Sequence, residues 1–161
     1  MPQYTFETLH DKDFEELTRD LLQAELGIFV ETFKRGADGG IDLLYAPAHD
    51  QAGSFVVQAK HWFRSGYSAL LSHLKKEELP KIQELDPPRY IVSTSVPLSP
   101  QQKVRIVDAL APHVKSTSDI IALDDLNNLL GKHSNIERKH LKLWLSSIPV
   151  LQAILHNAVR A

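Results

Sequence analysis

The chain has no cysteine among its 161 residues. Disulfides and thiolate metal sites are excluded, and the composition fits a reducing cytoplasm. Long apolar runs are missing too, since none approaches the ~20 residues that a membrane-spanning helix needs. The opening residues Met1-Pro-Gln-Tyr-Thr-Phe-Glu7 carry neither a basic nor an apolar region and do not read as a secretory signal. A Walker A loop is absent, so this chain itself is not expected to hydrolyse ATP. Ser93-Thr94-Ser95 follows a strand pattern but lacks the glycines of a nucleophile elbow. His133 and His140 have no ligand spacing with carboxylates, and no internal repeat or low-complexity segment stands out.

A net positive charge is also lacking. The formal balance is −2, with 43% hydrophobic and 24% charged residues. This is the composition of an ordinary globular domain, long enough to bury a real core. The charge is unevenly spread. Residues 1–33 hold eight acids against two bases, a balance of −6. Residues 34–76 hold six bases (Lys34, Arg35, Lys60, Arg64, Lys75, Lys76) against Asp38, Asp42 and Asp50, a balance of +3. His49, His61 and His73 share this stretch. Such a patch suits a phosphate backbone, with Lys34, Arg35, His61 and Arg64 as candidate contacts.

Residues 11–24 have helical spacing in Phe14, Leu17, Leu21 and Leu22, with Asp11 or Asp13 as cap and Gly27 as stop. Ile28–Phe33, Ile41–Tyr45 and Ser54–Lys60 read as three strands with short links, an antiparallel meander. Residues 68–85 read as helix, broken or restarted near Pro80. Tyr90–Ser93 reads as a buried strand, a helix begins at Ser99-Pro100, and Asp119–Leu123 is the last strand candidate. Helical patterns then follow at 124–130, 136–145 and 148–159. Strand–helix–strand alternation after residue 54 implies parallel crossovers. The expected fold is α/β: a central mixed sheet of about five strands flanked by helices on both faces.

The chemistry concentrates in Gly36-Ala-Asp-Gly-Gly-Ile-Asp42 and Phe55-Val-Val-Gln-Ala-Lys60. Alternation puts Asp42 on the Leu44 face of its strand, among apolar neighbours, where a carboxylate is unfavourable unless paired or metal-bound. Gln58 and Lys60 are one residue apart and share a face of the next strand, with Ala59 turned the other way. An anionic ligand, a second oxygen ligand and a cation beside a water form the kit for phosphodiester hydrolysis with Mg²⁺. Asp38 precedes glycine and reads as a loop-shaping turn residue.

This D…QxK layout resembles the PD-(D/E)xK nuclease superfamily, and its GxDxGxD…QxK form resembles the Mrr-like restriction endonucleases. The resemblance implies a restriction-endonuclease-like fold and an Mg²⁺-dependent endonuclease acting on double-stranded DNA, with Mn²⁺ able to substitute. It implies catalytic roles for Glu15, Asp42, Gln58 and Lys60, and metal contacts from Asp42, Gln58 and the Ala59 backbone carbonyl. Phe14-Glu15 matches the family's Phe-Glu near the start of the first helix, leaving Glu15 two open roles, as a ligand of a second ion or as an anchor for Lys60. Glu16 competes with it, although an Asp13–Glu16 capping box would give Glu16 a structural task. Arg89–Ser95, Leu98–Gln102, Asp124–Leu130 and Ile136–Leu145 resemble nuclease domains fused to STAND-type NTPases of prokaryotic antiviral defence. On that likeness, residues 1–130 are the nuclease domain and 131–161 a helical connector to a following NTPase domain, with homo-oligomerisation serving double-strand cleavage. The alternative is a catalytically silent nucleic-acid-binding or adaptor module of the same fold.

Overall fold

The computed structural model describes residues 3–32, 43–46, 53–62 and 66–143. Helix α1 (Asp11–Leu26) precedes strands β1 (Glu31–Thr32), β2 (Leu43–Tyr45) and β3 (Phe55–Lys60). Then come α2 (Tyr67–His73), a π-helical turn (Leu74–Glu78), α3 (Leu79–Leu85), β4 (Tyr90–Thr94) and α4 (Pro100–Ala109). Strand β5 (Ile120–Ile121), α5 (Leu123–Lys132) and α6 (Ser134–Lys139) complete the described elements, with short 3₁₀ turns at Thr117–Asp119 and Leu141–Leu143. The strands lie in the order β1-β2-β3-β4-β5. Pairing is antiparallel from β1 to β3 and parallel from β3 to β5. This is the mixed five-stranded α/β sheet expected from the alternation of patterns.

Strand alternation divides the core into two layers. Phe55, Val57, Ile91 and Ile121 face α1, α5 and α6, where Phe14, Leu17, Leu21, Leu126, Leu130 and Ile136 are buried. Val56, Tyr90, Val92 and Ile120 face the other way, onto Leu70, Leu74, Ile82 and Ile106. Both faces are thus covered, as parallel strands require. A hydrogen bond of 2.9 Å between the buried Thr18 and Ser93 hydroxyls ties α1 to β4. Among the described residues, no helix is long and apolar enough to cross a membrane.

Several boundaries differ from the sequence expectation, and at three of them a side chain captures a backbone N–H. Strand β1 begins at Glu31 rather than at residue 28, since the Val30 N–H donates to Gln23 Oε1 at 2.9 Å rather than to a ladder. Strand β5 stops at Ile121 because Asp125 Oδ2 accepts from the Ala122 N–H at 2.9 Å and α5 begins there. At α1 the N-cap is His10, whose N–H donates to Asp13 Oδ2 at 2.9 Å. Asp13 therefore occupies the third helical position, and the expected Asp13–Glu16 capping box does not form. Ile136 and Leu143 are buried in the α1 layer, so residues 134–143 pack with the same body. The 148–159 pattern lies outside the described residues.

The end of β3 is clamped by His61. Its ring stacks on Phe14 with centroids 5.0 Å apart. Nε2 lies 2.7 Å from the Leu9 carbonyl, which can only accept, so Nε2 carries the proton. Nδ1 then accepts from the Ser95 hydroxyl at 3.1 Å, and that hydroxyl accepts from the Trp62 N–H at 2.9 Å. Burial depresses the His61 pKa below 6.5, outweighing the Leu9 carbonyl and the Asp11 and Asp13 carboxylates that favour the proton. The unfolded chain takes up this proton near 6.5 while the folded clamp resists it. The clamp's contribution is therefore whole above that pH and is lost as pH falls through it. Thermal unfolding of the wild type should show a fall in Tm from pH 7.5 to 5.5 that is shallower in His61→Gln. Parallel curves for the two proteins would contradict the clamp.

Candidate active site

Gln58 and Lys60 end the central strand on its Val56 face, opposite Val92 and Thr94 of β4, while Ala59 packs into the α1 layer. Gln58 is buried, and its Oε1 has no hydrogen-bond partner among the described residues. A buried acceptor left unpaired costs about 1–3 kcal/mol, so a site that retains one invites a donor or a cation.

Lys60 does not stand alone. Its Nζ donates to Glu78 Oε1 at 2.7 Å, and the same oxygen lies 3.2 Å from His73 Nε2. Glu78 is only 3% exposed and Lys60 12%. A carboxylate at that depth is tolerable because two donors meet it. The His73 ring in turn leans on Trp62, with centroids 4.6 Å apart.

The local helix explains how Glu78 reaches the lysine. Leu70, Leu74, Glu78 and Ile82 are all buried, at intervals of four. In a pure α-helix each such step drifts by about 40°, and the row would roll off the buried face. The turn Leu74–Glu78 is π-helical, with the Leu79 N–H bonded to the Leu74 carbonyl, and its underwinding cancels part of the drift. Pro80 contributes by lacking the N–H that an α-helical bond to residue 76 would need. Sequence reading placed a helix with a break here but missed Glu78 as a partner of Lys60. The available signal was a lone glutamate in an otherwise apolar row of four, two residues before a proline.

The other expected site residues fall into two groups. Asp42, Asp38, Lys34, Arg35 and Arg64 lie outside the described residues. Glu15 is on α1, over the opposite face of the sheet, and accepts from Lys12 Nζ at 3.3 Å. Among the described residues the carboxylate on Lys60 is that of Glu78, so anchoring Lys60 is not the task of Glu15. Glu16 loses its expected capping role, which goes to Asp13. His61, expected as a phosphate contact, has both ring nitrogens committed inside the fold and no free one to offer. Arg89, unremarked in the charge count, forms a forked pair with Asp119 at 2.7 to 3.2 Å, at the far end of the sheet.

The resemblance implies a divalent cation, and the residues present fit one in part. No cluster of three His, Asp or Glu side chains able to hold a metal occurs among the described residues. The unpartnered, buried Gln58 oxygen beside a fixed lysine is nonetheless the donor chemistry that hard cations take.

Comparison with known proteins bears directly on this geometry. The chain is 45% identical over 158 residues to the uncharacterized protein y4cD of Sinorhizobium fredii (strain NBRC 101917 / NGR234), covering 98% of this chain. It spans 24% of that protein's length. No solved structure matches it. Residues 6–85 match the Mrr catalytic-domain model, described as restriction endonuclease. That stretch holds α1, all three antiparallel strands, the Gln58 and Lys60 strand end and the turn bearing Glu78, and through it this chain belongs to the Mrr-type restriction endonuclease family.

Proposed function

We propose that this chain is a metal-dependent endodeoxyribonuclease that hydrolyses phosphodiester bonds of double-stranded DNA. The observation that carries the reading is the β3 end, where a buried amide oxygen without a partner sits two residues from a lysine fixed by a buried carboxylate. Asp42 is the proposed anionic ligand. In the sequence Asp42 directly precedes Leu43, and Leu43 pairs across β2 and β3 with Val57, which directly precedes Gln58. Asp42, Gln58 and the Ala59 carbonyl would hold the cation, with Glu15 as a further candidate. Mg²⁺, or Mn²⁺ in its place, would supply Lewis-acid polarisation of the phosphate and acidify the attacking water.

Lys60 does the rest. One ammonium proton is spent on Glu78, and two remain to donate to a phosphate oxygen and to orient the water. Held in place beforehand, the cation meets developing negative charge without reorganisation. Lys34, Arg35 and Arg64 are proposed to follow the DNA backbone. Because the chain spans 24% of its relative, the nuclease is proposed as one part of a longer cytoplasmic protein. There it would act as the effector beside an NTPase domain in antiviral defence, with clustering of copies permitting double-strand breaks.

Plasmid cleavage in EDTA, Mg²⁺ and Mn²⁺ tests the core of this. Asp42→Ala should abolish cutting, and Lys60→Ala should slow it by about 10²–10³-fold, the loss typical for a charge-stabilising donor. Wild-type rates in Asp42→Ala would remove that residue from the site.

Gln58→Glu raises the anionic count at the ion. Half-maximal activity should move to lower Mg²⁺, and an unchanged Mg²⁺ titration would show that residue 58 does not touch the cation. Fusion of the C-terminus to a tetramerising tag should raise linear over nicked product per domain. Equal linear product from tagged and untagged chains would rule out activation by proximity.

A further inference from the structure

Resting on that nuclease reading, we propose that Glu78 is the positioning residue of the site, setting the direction of the Lys60 ammonium without touching cation or phosphate. Three observations converge on it. Its carboxylate is nearly sealed from solvent and takes the Lys60 and His73 donors on one oxygen, Oε1. It lies on the only π-helical turn among the described residues, which keeps it in register with the buried row Leu70, Leu74 and Ile82. And its strand partner is a lysine, a point charge on four flexible carbons whose direction the backbone alone does not fix. A neutral or apolar side chain at 78 would fill the space as well, so the charge is what the position supplies.

The second donor matters to this geometry. His73 approaches Glu78 from the last position of α2, immediately before the π segment, and rests on Trp62 just beyond β3. The carboxylate is therefore braced from the helix side while it reaches the strand side. Lys60 is pulled toward α2 and α3, along the same face of β3 as Gln58. Both donors meet the same oxygen, Oε1, so that oxygen is committed to Lys60 and His73. This assigns it to the lysine, where it acts through Lys60 on the reaction.

The test uses wild type, Glu78→Gln, Glu78→Asp, Lys60→Ala and the Lys60→Ala/Glu78→Gln double variant, each checked by circular dichroism. Two readouts are taken: single-turnover plasmid cleavage across a Mg²⁺ titration, and acylation of Lys60 by acetic anhydride, followed by mass spectrometry without DNA or metal. Glu78→Gln should slow cleavage by about 10–100-fold, the loss that a displacement near 1 Å brings, with half-maximal Mg²⁺ unchanged. Glu78→Asp, which keeps the charge, should recover part of that rate. The double variant should be no slower than Lys60→Ala, because the two residues act as one unit. Lys60 labelling should rise several-fold in Glu78→Gln. Wild-type cleavage in Glu78→Gln, a multiplied loss in the double variant, or a shifted Mg²⁺ midpoint would each overturn the assignment. Unchanged Lys60 labelling would overturn it whatever the cleavage result. Wild-type protein that cuts nothing, with Lys60 labelling still raised in Glu78→Gln, would instead overturn the nuclease reading and leave the lysine clamp standing.

Discussion

Strand β3 is paired antiparallel to β2 on one side and parallel to β4 on the other, and the site depends on that double pairing. An antiparallel neighbour needs only a loop, so the start of β2 is brought beside the end of β3. A parallel neighbour needs a crossover that passes over one face of the sheet. Here the crossover is α2, the π turn and α3, and it covers the face on which Gln58 and Lys60 project. One topological choice thus delivers a second strand end and a covering helix to the same place. Had β4 paired antiparallel through a hairpin, Lys60 would face solvent with no buried carboxylate above it.

The two ends of the parallel strands are treated differently. At the entry of β4, Arg89 donates to both oxygens of the buried Asp119 and lies 5.3 Å from the Phe55 ring. The Asp119 hydrogen bonds raise the pKa of that guanidinium, and the pair is closed on itself. On α1, burial works to raise the Asp20 carboxyl, but the hydrogen bonds from His140 and Lys139 outweigh it and hold its pKa below 3.8. These are structural pairs, fastening the sheet and joining α6 to α1. At the exit of β3 the arrangement stays open: an ion pair lies two residues from an acceptor with no partner among the described residues. What sets the β3 exit apart is that its unpaired oxygen stands two residues from a buried ion pair, on the same strand face.

Much of this was legible in the sequence, and the reasons are local. Ser99-Pro100 marks a helix start because Pro fits the first turn, and the hydroxyl at 99 accepts from the Gln102 N–H at 3.2 Å. Gly27 ends α1 in the left-handed conformation, with φ of 65°. The Gln58 and Lys60 face follows from a period of two. What escaped depends on distant residues. The late start of β1 needs Gln23 to reach Val30, and the cap at His10 needs Asp13 to turn back. The pairing of Lys60 with Glu78 joins residues 18 apart through a π turn, marked in the sequence only by the glutamate in the row of four ahead of Pro80. The same blindness put His61 on the DNA, because a histidine after a basic strand end looks exposed until Leu9, Phe14 and Ser95 fold around it.

On the proposed function, charge accounts for a glutamine at 58, where the (D/E)xK pattern that the sequence resembles would put a carboxylate. Lys60 and Glu78 cancel, leaving the proposed Asp42 as the uncompensated anion facing the cation. A glutamate at 58 would add a second one at a position only 6% exposed, where an unpaired carboxylate is strongly disfavoured until the ion arrives. Lys60 could then relieve either carboxylate but not both, and drawing it toward 58 would pull it from the direction Glu78 imposes. An amide keeps the oxygen and omits the charge. The ligand field is weaker, but the lysine stays aimed in the absence of metal. On the proposed function, a glutamine at 58 would preserve the orientation of the cationic side chain at the expense of metal affinity.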